Sequence, residues 1–199
     1  MPKKSFAGFS NEEDELYLRI HAFEPFSQSN GPGIRAVIWT QGCPLGCPGC
    51  FNPETHPSEG GNLIAVSQLV ERILYLRPYI EGITLSGGEP LVQLPAVIKL
   101  LERIRTESTL SVVCFTGYTW KEVQRMPRST ELLALLDVLL TGRYTPKKLS
   151  NLPFAAHKRV HFLTSRYTKA DFANIPAAEV WIEQDGGITV TGTAGVQLG

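Results

Sequence analysis

The chain has 199 residues, of which 43% are hydrophobic, and this length and composition suit one globular domain rather than a disordered chain. Its 19 lysines and arginines balance 19 aspartates and glutamates, so no overall charge favours direct binding to nucleic acid or to a membrane surface. No apolar run approaches the ~20 residues that span a bilayer, and no apolar export segment follows the basic N-terminus. We therefore expect a cytoplasmic protein with reduced thiols.

The first part of the chain divides into a leader and two strands. Residues 1–15 are polar and end in an acidic run, which predicts a solvated leader in front of a single domain over residues 16–199. Residues 16–23 and 34–40 favour strands, joined by a loop that contains glycine and proline.

The rest of the chain alternates strands and helices. Helical spacing of apolar residues over 66–79, with Ser67 as the expected N-cap, precedes a predicted strand over 80–86. Five later elements are predicted: a helix from Pro95 to 107, a strand over 110–116, a capping-box helix opening at Thr119, a helix over 131–136 and a strand over 137–141. A terminal hairpin is predicted over 180–191. The order favours an α/β fold with a mostly parallel sheet, whose active site lies at the strand ends.

Three of the four cysteines, Cys43, Cys47 and Cys50, follow the second predicted strand within eight residues. Three thiolates suit three corners of a 4Fe-4S cube, whereas an electron-transfer cluster of this type has four protein ligands. The remaining iron would be open to a substrate or cofactor, as the open position is in a catalytic zinc site. We therefore expect catalysis at iron.

Clustered cysteines have other uses. A disulfide framework is disfavoured because an export signal is absent and three thiols this close cannot all pair locally. A zinc site would need a fourth ligand, which His56 could supply, but the paired Cys-x-x-Cys arms of zinc modules are missing. The fourth cysteine, Cys114, lies in an apolar run and is expected in the core.

A second glycine-rich segment follows the strand predicted over 80–86. Gly87 and Gly88 allow close backbone approach, and the Glu89 carboxylate suits an ammonium group. Alone, this segment is better explained by a tight turn with a helix-capping glutamate. Beside an open-iron loop, it favours a cationic, amino-acid-like ligand.

These motifs resemble those of the radical S-adenosylmethionine superfamily, whose Cys-x-x-x-Cys-x-x-Cys signature matches the three clustered cysteines. The chain is similar to the glycyl-radical activating enzymes, and most to the activating protein of anaerobic ribonucleotide reductase, in five segments: 31–35, 42–45, 49–55, 84–91 and 115–119. The resemblance implies a partial (β/α) barrel of the radical SAM type, here followed by a C-terminal β-hairpin.

The resemblance also implies a chemistry. Cys43, Cys47 and Cys50 would hold one 4Fe-4S cluster, with S-adenosylmethionine on the fourth iron. One electron would cleave the cofactor to methionine and a 5'-deoxyadenosyl radical, which takes a hydrogen atom from a backbone glycine of a glycyl-radical enzyme, in particular anaerobic ribonucleotide reductase. A reduced flavodoxin- or ferredoxin-like protein is the expected electron donor. The implied cofactor-binding residues are Gly49, Phe51, Gly87, Gly88, Glu89, Thr116, Gly117 and Tyr118.

Some features depart from the superfamily or the branch. Gly49 stands before the third cysteine where many superfamily members have an aromatic residue, which agrees with the reductase-activating branch. Residues 152–159 replace an Arg-Gly-Ser-x-Asn-Gln-like stretch of that branch, so we expect a different partner surface. A basic strip over 143–169 has two interpretations, a solvated loop or a docking surface for an acidic partner or a phosphate-bearing substrate.

Two other functions use the same motifs. A radical SAM enzyme could act directly on a small molecule or peptide, although the short chain predicts an open barrel that better suits a glycine delivered by a protein. A non-catalytic iron–sulfur or zinc-binding module would use the cysteine loop structurally. Formation of 5'-deoxyadenosine would separate the enzymes from the module.

Overall fold

The structure is a computed structural model that describes residues 15–50, 52–145, 158–182 and 185–192. The predicted leader lies outside these ranges except for its last residue, Glu15. In the described ranges, none of the helices combines the length and the apolar character needed to cross a membrane.

A large sheet forms the centre of the molecule. Within the described residues it has seven strands: β1 (Tyr17–Ser27), β2 (Arg35–Thr40), β3 (Asn62–Ala65), β4 (Gly82–Gly87), β5 (Ser111–Phe115), β6 (Val138–Thr141) and β7 (Arg159–Phe162). Their order across the sheet is β3-β1-β2-β4-β5-β6-β7. The central strands β2, β4, β5 and β6 are parallel, and β1, β3 and β7 pair antiparallel with their neighbours. The α/β class and the parallel centre are confirmed, and the open strand order is that expected of a partial (β/α) barrel.

Helices connect the parallel strands. The part of the chain that the structure describes has five: α1 (Val66–Leu76), α2 (Leu94–Glu107), α3 (Trp120–Gln124), α4 (Ser129–Ala134) and α5 (Lys169–Ala173). The capping box at Thr119 is confirmed, since its hydroxyl accepts the Glu122 N–H and the Glu122 carboxylate accepts the Thr119 N–H. The prediction of Ser67 as an N-cap is wrong. Ala65 holds that position, and the Glu15 carboxylate accepts the Ser67 N–H at 3.1 Å.

The main hydrophobic core lies between the sheet and helices α1 and α2. Alternate residues of β5 face it, and both Val112 and Cys114 are fully buried there. Burial also raises the pKa of the Cys114 thiol. The predicted core position of Cys114 is confirmed, and Phe115 next to it faces the other side of the sheet, where it lines an open cleft.

The Arg35 side chain lies on the face of the sheet opposite the main core, near the amino ends of the parallel strands. Its fully buried guanidinium donates to Thr84 Oγ1 at 2.8 Å and to the Pro32 carbonyl at 3.0 Å. The Thr84 hydroxyl donates in turn to the Asn30 carbonyl at 2.8 Å. Arg35 therefore fixes the loop between β1 and β2, and Asn30 of that loop borders the cleft.

The terminal hairpin is confirmed as β8 (Ala178–Ile182) paired with β9 (Ile188–Gly192). Glu179 attaches it to the loop after β1, because its carboxylate accepts the Ser29 hydroxyl at 2.8 Å and the Gln28 N–H at 2.9 Å. Burial alone would raise the pKa of Glu179, but the hydrogen-bond donors around it lower that pKa below its ordinary value. The hairpin is thus held against the loop that borders the cleft.

Candidate cluster and cofactor site

The three clustered cysteines line one cleft at the carboxyl ends of the parallel strands, with about 1030 Å³ of empty space that includes open solvent. Cys43, Cys47 and Cys50 are each half-buried there. Gly49 has a φ of 67°, in the left-handed region that favours glycine, and turns the chain just before the third cysteine. The structure therefore brings the three predicted ligands to one open space.

Backbone hydrogen bonds fasten the cysteine loop on both sides. The Gly42 N–H donates to the Thr55 carbonyl at 2.8 Å, and the Cys43 N–H donates to the His56 carbonyl at 3.0 Å. The Glu89 N–H donates to the Gly42 carbonyl at 2.9 Å. Main-chain hydrogen bonds therefore fix the start of the loop, and they do not involve the side chains of its residues.

Gly87 and Gly88 bring the end of β4 against the cysteine loop. A Cβ atom on Gly87, whose φ is 94°, would lie 2.5 Å from the Thr40 nitrogen. A Cβ atom on Gly88 would lie 2.5 Å from the Gly42 carbonyl oxygen. Both distances are shorter than Cβ atoms tolerate, so the close backbone approach expected from the sequence is present and requires glycine.

Glu89 is fully buried beside the cleft, where its carboxylate accepts three hydrogen bonds. The donors are the Thr116 hydroxyl at 2.7 Å, the Gly117 N–H at 2.7 Å and the Leu91 N–H at 3.1 Å. Burial raises the pKa of Glu89, while these donors and the nearby Lys158 oppose the rise. Two carboxylate oxygens offer about four acceptor directions, so one remains for an ammonium group.

The predicted cofactor-binding residues divide into three groups. Those that line the cleft are Gly87, Gly88, Glu89, Thr116 and Gly117. Gly49 and Tyr118 do not line it, and the Tyr118 ring instead packs against the core, with the Arg143 guanidinium 5.2 Å from its centroid. Phe51 lies outside the described residues.

Lys158 lines the same cleft, although the sequence places it only in the basic strip. Its ammonium donates to the Thr116 carbonyl at 2.9 Å and to the Gly142 carbonyl at 2.8 Å. Burial lowers the pKa of Lys158, and the Glu89 carboxylate opposes this effect. An ammonium carries three protons, so within the described residues one N–H of Lys158 is left for a ligand.

Two other described members of the basic strip make contacts elsewhere. Arg143 forms an ion pair with Glu122 at 2.9 Å, and Arg166 donates to the Thr109 carbonyl at 2.6 Å. Lys147, Lys148 and His157 lie outside the described residues. Both interpretations of the strip therefore stay predictions, but Lys158 belongs to the cleft.

Nine further cleft residues are not among those predicted to bind the cluster or the cofactor: Asn30, Trp39, Leu45, Asn52, His56, Ser86, Phe115, Tyr144 and Gly192. Strand alternation was a usable signal for three of them. Trp39, Ser86 and Phe115 lie near the carboxyl ends of parallel strands and face away from the helix-covered core. Leu45 and Asn52 lie in or next to the cysteine loop, and the remaining four reach the cleft through the tertiary arrangement of the chain.

The cleft fits a 4Fe-4S cluster. Burial raises the pKa of the Cys43 thiol, and the neighbouring Glu89 adds to the rise, so a thiolate there needs a compensating cation such as iron. No three His, Cys, Asp or Glu side chains in the described ranges converge closely enough to chelate a single ion, whereas cluster ligands sit on separate irons. Nε2 of His56 is buried in the same region and has no hydrogen-bond partner among the residues that the structure describes.

Comparisons with known proteins point to one family. The model of the 4Fe-4S single cluster domain matches residues 29–159. The pyruvate formate-lyase-activating enzyme of Clostridium pasteurianum is 34% identical over 60% of this chain and 52% of its own length. A putative glycyl-radical enzyme activating enzyme of Haemophilus influenzae is 34% identical over 52% of this chain and 40% of its own length. The pyruvate formate-lyase-activating enzyme of Staphylococcus aureus is 40% identical over 43% of this chain and 36% of its own length.

The chain spans about half the length, or less, of these curated relatives. Among solved structures, QueE from Escherichia coli has a TM-score of 0.43 and 18% identity over 52% of this chain and 53% of that chain, too distant a likeness to support an argument. The family match covers most of the chain and includes the cysteine loop and Gly87–Glu89. The chain therefore belongs to the 4Fe-4S single cluster domain family, and the relatives that it matches in part are named as activating enzymes of pyruvate formate-lyase or of a glycyl-radical enzyme.

Proposed function

We propose that this chain uses a 4Fe-4S cluster and S-adenosylmethionine to generate a glycyl radical on a partner enzyme. The observation that carries the proposal is one cleft that combines Cys43, Cys47 and Cys50 with the buried carboxylate of Glu89 and the half-buried ammonium of Lys158. Three thiolates suit three irons of a cube and leave one iron open. A carboxylate with one spare acceptor direction beside an ammonium with one spare proton suits a zwitterionic amino-acid group.

The cofactors supply the radical chemistry. With the cluster reduced and S-adenosylmethionine bound, one electron breaks a carbon–sulfur bond, yielding methionine and a 5'-deoxyadenosyl radical that takes a hydrogen atom from a glycine Cα and becomes 5'-deoxyadenosine. The protein binds and orients S-adenosylmethionine. In this proposal Glu89 and Lys158 hold the amino-acid end, Gly87 and Gly88 permit close approach to the main chain, and the Trp39 side chain helps to exclude water.

The proposed substrate is a protein backbone. A glycine loop enters an open cleft more readily than an enclosed one, and this cleft is open to solvent. We propose anaerobic ribonucleotide reductase as the partner because of the motif similarity, including the glycine before Cys50, and a reduced flavodoxin- or ferredoxin-like protein as the electron donor. The names of two relatives favour pyruvate formate-lyase as a second candidate.

Cofactor cleavage is the first test. The full chain would be reconstituted with iron and sulfide without oxygen, reduced with dithionite and mixed with S-adenosylmethionine. Equal amounts of methionine and 5'-deoxyadenosine are expected. Glu89→Ala should keep its iron and lose cofactor affinity, because the carboxylate no longer holds the ammonium group. Glu54→Ala, which changes an exposed glutamate near the cysteine loop, is the matched control and should behave as the parent does.

Partner choice is the second test. The active protein would be mixed separately with anaerobic ribonucleotide reductase and with pyruvate formate-lyase from the same organism, and glycyl radical would be counted by electron paramagnetic resonance. A signal on the reductase supports the proposed partner, and a signal only on the lyase supports the second candidate. Cofactor cleavage without a radical on either protein would instead favour direct action on a small molecule or peptide. The absence of cleavage by a fully loaded cluster would leave a non-catalytic module.

A further inference from the structure

His56 carries the one buried side-chain nitrogen or oxygen that lacks a hydrogen-bond partner in the part of the chain that the structure describes. The atom is Nε2 of its imidazole ring. Buried polar groups in folded proteins nearly always have a partner, so an unpaired one requires an explanation. For a nitrogen beside a ligand site, a bound group is the simplest explanation.

The position of His56 identifies that group. The backbone pairs Gly42–Thr55 and Cys43–His56 form two successive hydrogen bonds, at 2.8 and 3.0 Å, so His56 lies directly beside the first cysteine of the loop. His56 lines the cleft together with all three clustered cysteines. The nearest occupant of that part of the cleft would be the 4Fe-4S cluster rather than the amino-acid end of S-adenosylmethionine, which is assigned to Glu89.

The cluster offers acceptors of suitable chemistry. Thiolate and sulfide sulfurs carry negative charge and accept hydrogen bonds, and such bonds help to set the reduction potential of an iron–sulfur cluster. A neutral imidazole has one N–H to donate. Donation stabilises the more negatively charged, reduced cluster, and so raises the potential.

We propose that His56 Nε2–H donates a hydrogen bond to a cluster sulfur, either the Cys43 thiolate or a sulfide next to it, and raises the reduction potential of the cluster. His56 is then a positioning residue that sets how strong a reductant the electron donor must be. The inference rests on the cluster ligands of the proposed function, but not on the partner or on radical formation.

Two variants and a control test the hydrogen bond. His56→Leu removes the donor, and His56→Gln keeps an N–H near the position of Nε2. His21→Leu changes an exposed histidine whose ring bonds to Gln41 outside the cleft. After reconstitution without oxygen, iron and sulfide would be counted, and the potential measured by redox titration followed by electron paramagnetic resonance.

The hydrogen bond predicts a different result for each variant. All four proteins should bind the same amount of iron, the potential of His56→Leu should shift to a more negative value, and His56→Gln and His21→Leu should stay near the parent. An unchanged potential in His56→Leu would overturn the proposal. Loss of iron from both His56 variants would also overturn it, because His56 would then be an iron ligand. A parent that assembles no 4Fe-4S cluster would overturn the ligand assignment as well, whereas a normal cluster that does not cleave the cofactor would overturn only the proposed function.

Pulsed electron paramagnetic resonance on protein labelled with ¹⁵N-histidine gives an independent readout. A weak nitrogen coupling that disappears in His56→Leu, and stays in His21→Leu, is expected for a hydrogen bond. A strong coupling, typical of nitrogen bound to iron, would contradict the proposal, and so would a coupling that His56→Leu leaves unchanged.

Discussion

Lys158 and Glu89 contact the same residue, Thr116, through two different groups. The Thr116 hydroxyl donates to the Glu89 carboxylate at 2.7 Å, and the Thr116 carbonyl accepts from the Lys158 ammonium at 2.9 Å. Glu89 is fully buried and Lys158 is half-buried, and this burial alone would favour the neutral form of each. One residue at the end of β5 therefore fixes two opposite charges whose attraction offsets part of their desolvation.

Removing the ammonium should weaken cofactor binding in a pH-dependent way. In Lys158→Met the pKa of Glu89 should rise further, because burial raises it and the cation that opposes the rise is gone. The dissociation constant for S-adenosylmethionine should increase about tenfold or more near pH 7, and part of the affinity should return at higher pH, where Glu89 ionises. Calorimetric titration across pH would measure both effects. Lys169→Met, which removes an exposed lysine, should leave the profile unchanged, and a Lys158→Met profile parallel to that of the parent would contradict the coupling.

The crowding around Gly87 predicts a sharp difference between two glycines. Gly87 and Gly186 have similar φ angles, 94° and 88°, but an added Cβ meets the Thr40 backbone at the first site and nothing within 4 Å at the second. Gly186→Ala should cost about 1 kcal/mol of backbone strain and keep the cluster. Gly87→Ala should cost about 3 kcal/mol and lower cofactor affinity, since the end of β4 must move away from Thr40. Denaturant unfolding and cofactor titration would compare them, and equal losses would show that crowding is not the cause.

The four cysteines should separate into two classes. Cys47→Ala removes a proposed ligand and should abolish the 4Fe-4S absorption, whereas Cys114→Ala should keep it, because Cys114 faces the core between the sheet and the helices. The Cys114 variant should lose about 1 kcal/mol of stability from the smaller side chain. Iron analysis and visible absorption would check both variants. Loss of the cluster from Cys114→Ala, with the fold intact by circular dichroism, would contradict the assignment of three ligands.

Asp137 should make the stability of the domain depend on pH. Its carboxylate accepts from the Arg105 guanidinium, the Val112 N–H and the Thr164 hydroxyl, each at 2.8 Å. Burial alone would raise the pKa of Asp137, but these donors lower it below its ordinary value. The stabilisation is therefore present above the unfolded pKa of about 4 and is lost as the pH falls through the lower folded value.

The matching variant is Asp137→Asn. It should lower the free energy of unfolding by about 2–3 kcal/mol near pH 7, because the Arg105 charge loses its partner. Urea unfolding at several pH values would show the difference from the parent shrinking below about pH 4. A difference that stays constant over that range would mean that the carboxylate charge is not what stabilises the site.

The sequence predicts best those elements whose pattern is long and local. Helices α1 and α2 place apolar residues at helical spacing over several turns, and the central strands are short apolar runs bounded by turn residues. Strands β3 and β7 have only four residues each, and all their positions except Ala65 are exposed or half-buried, so they show no pattern. They form because distant partners pair with them, as Tyr17 does with Ala65.

The residues of the candidate site also differ in how well the sequence predicts them. The cysteine spacing and the Gly-Gly-Glu segment are local signals, and the structure brings both to one cleft. Lys158 is different, because nothing in its neighbourhood distinguishes it from the basic residues around it. It reaches the cleft because β7 pairs antiparallel with β6, with Arg159 opposite Thr141, which brings the preceding residue, Lys158, to the Gly142 carbonyl. Only the tertiary pairing of two strands gives it that position.

The main-chain attachment of the cysteine loop bears on how the protein matures. The amides of Gly42, Cys43 and Glu89 donate to carbonyls of neighbouring segments, so hydrogen bonds that need no metal ligand hold the start of the loop. Iron and sulfide would then enter a preformed pocket, with little ordering entropy left to lose. In metal-free protein these three amide protons should exchange slowly with deuterated solvent, as they would in a structured turn.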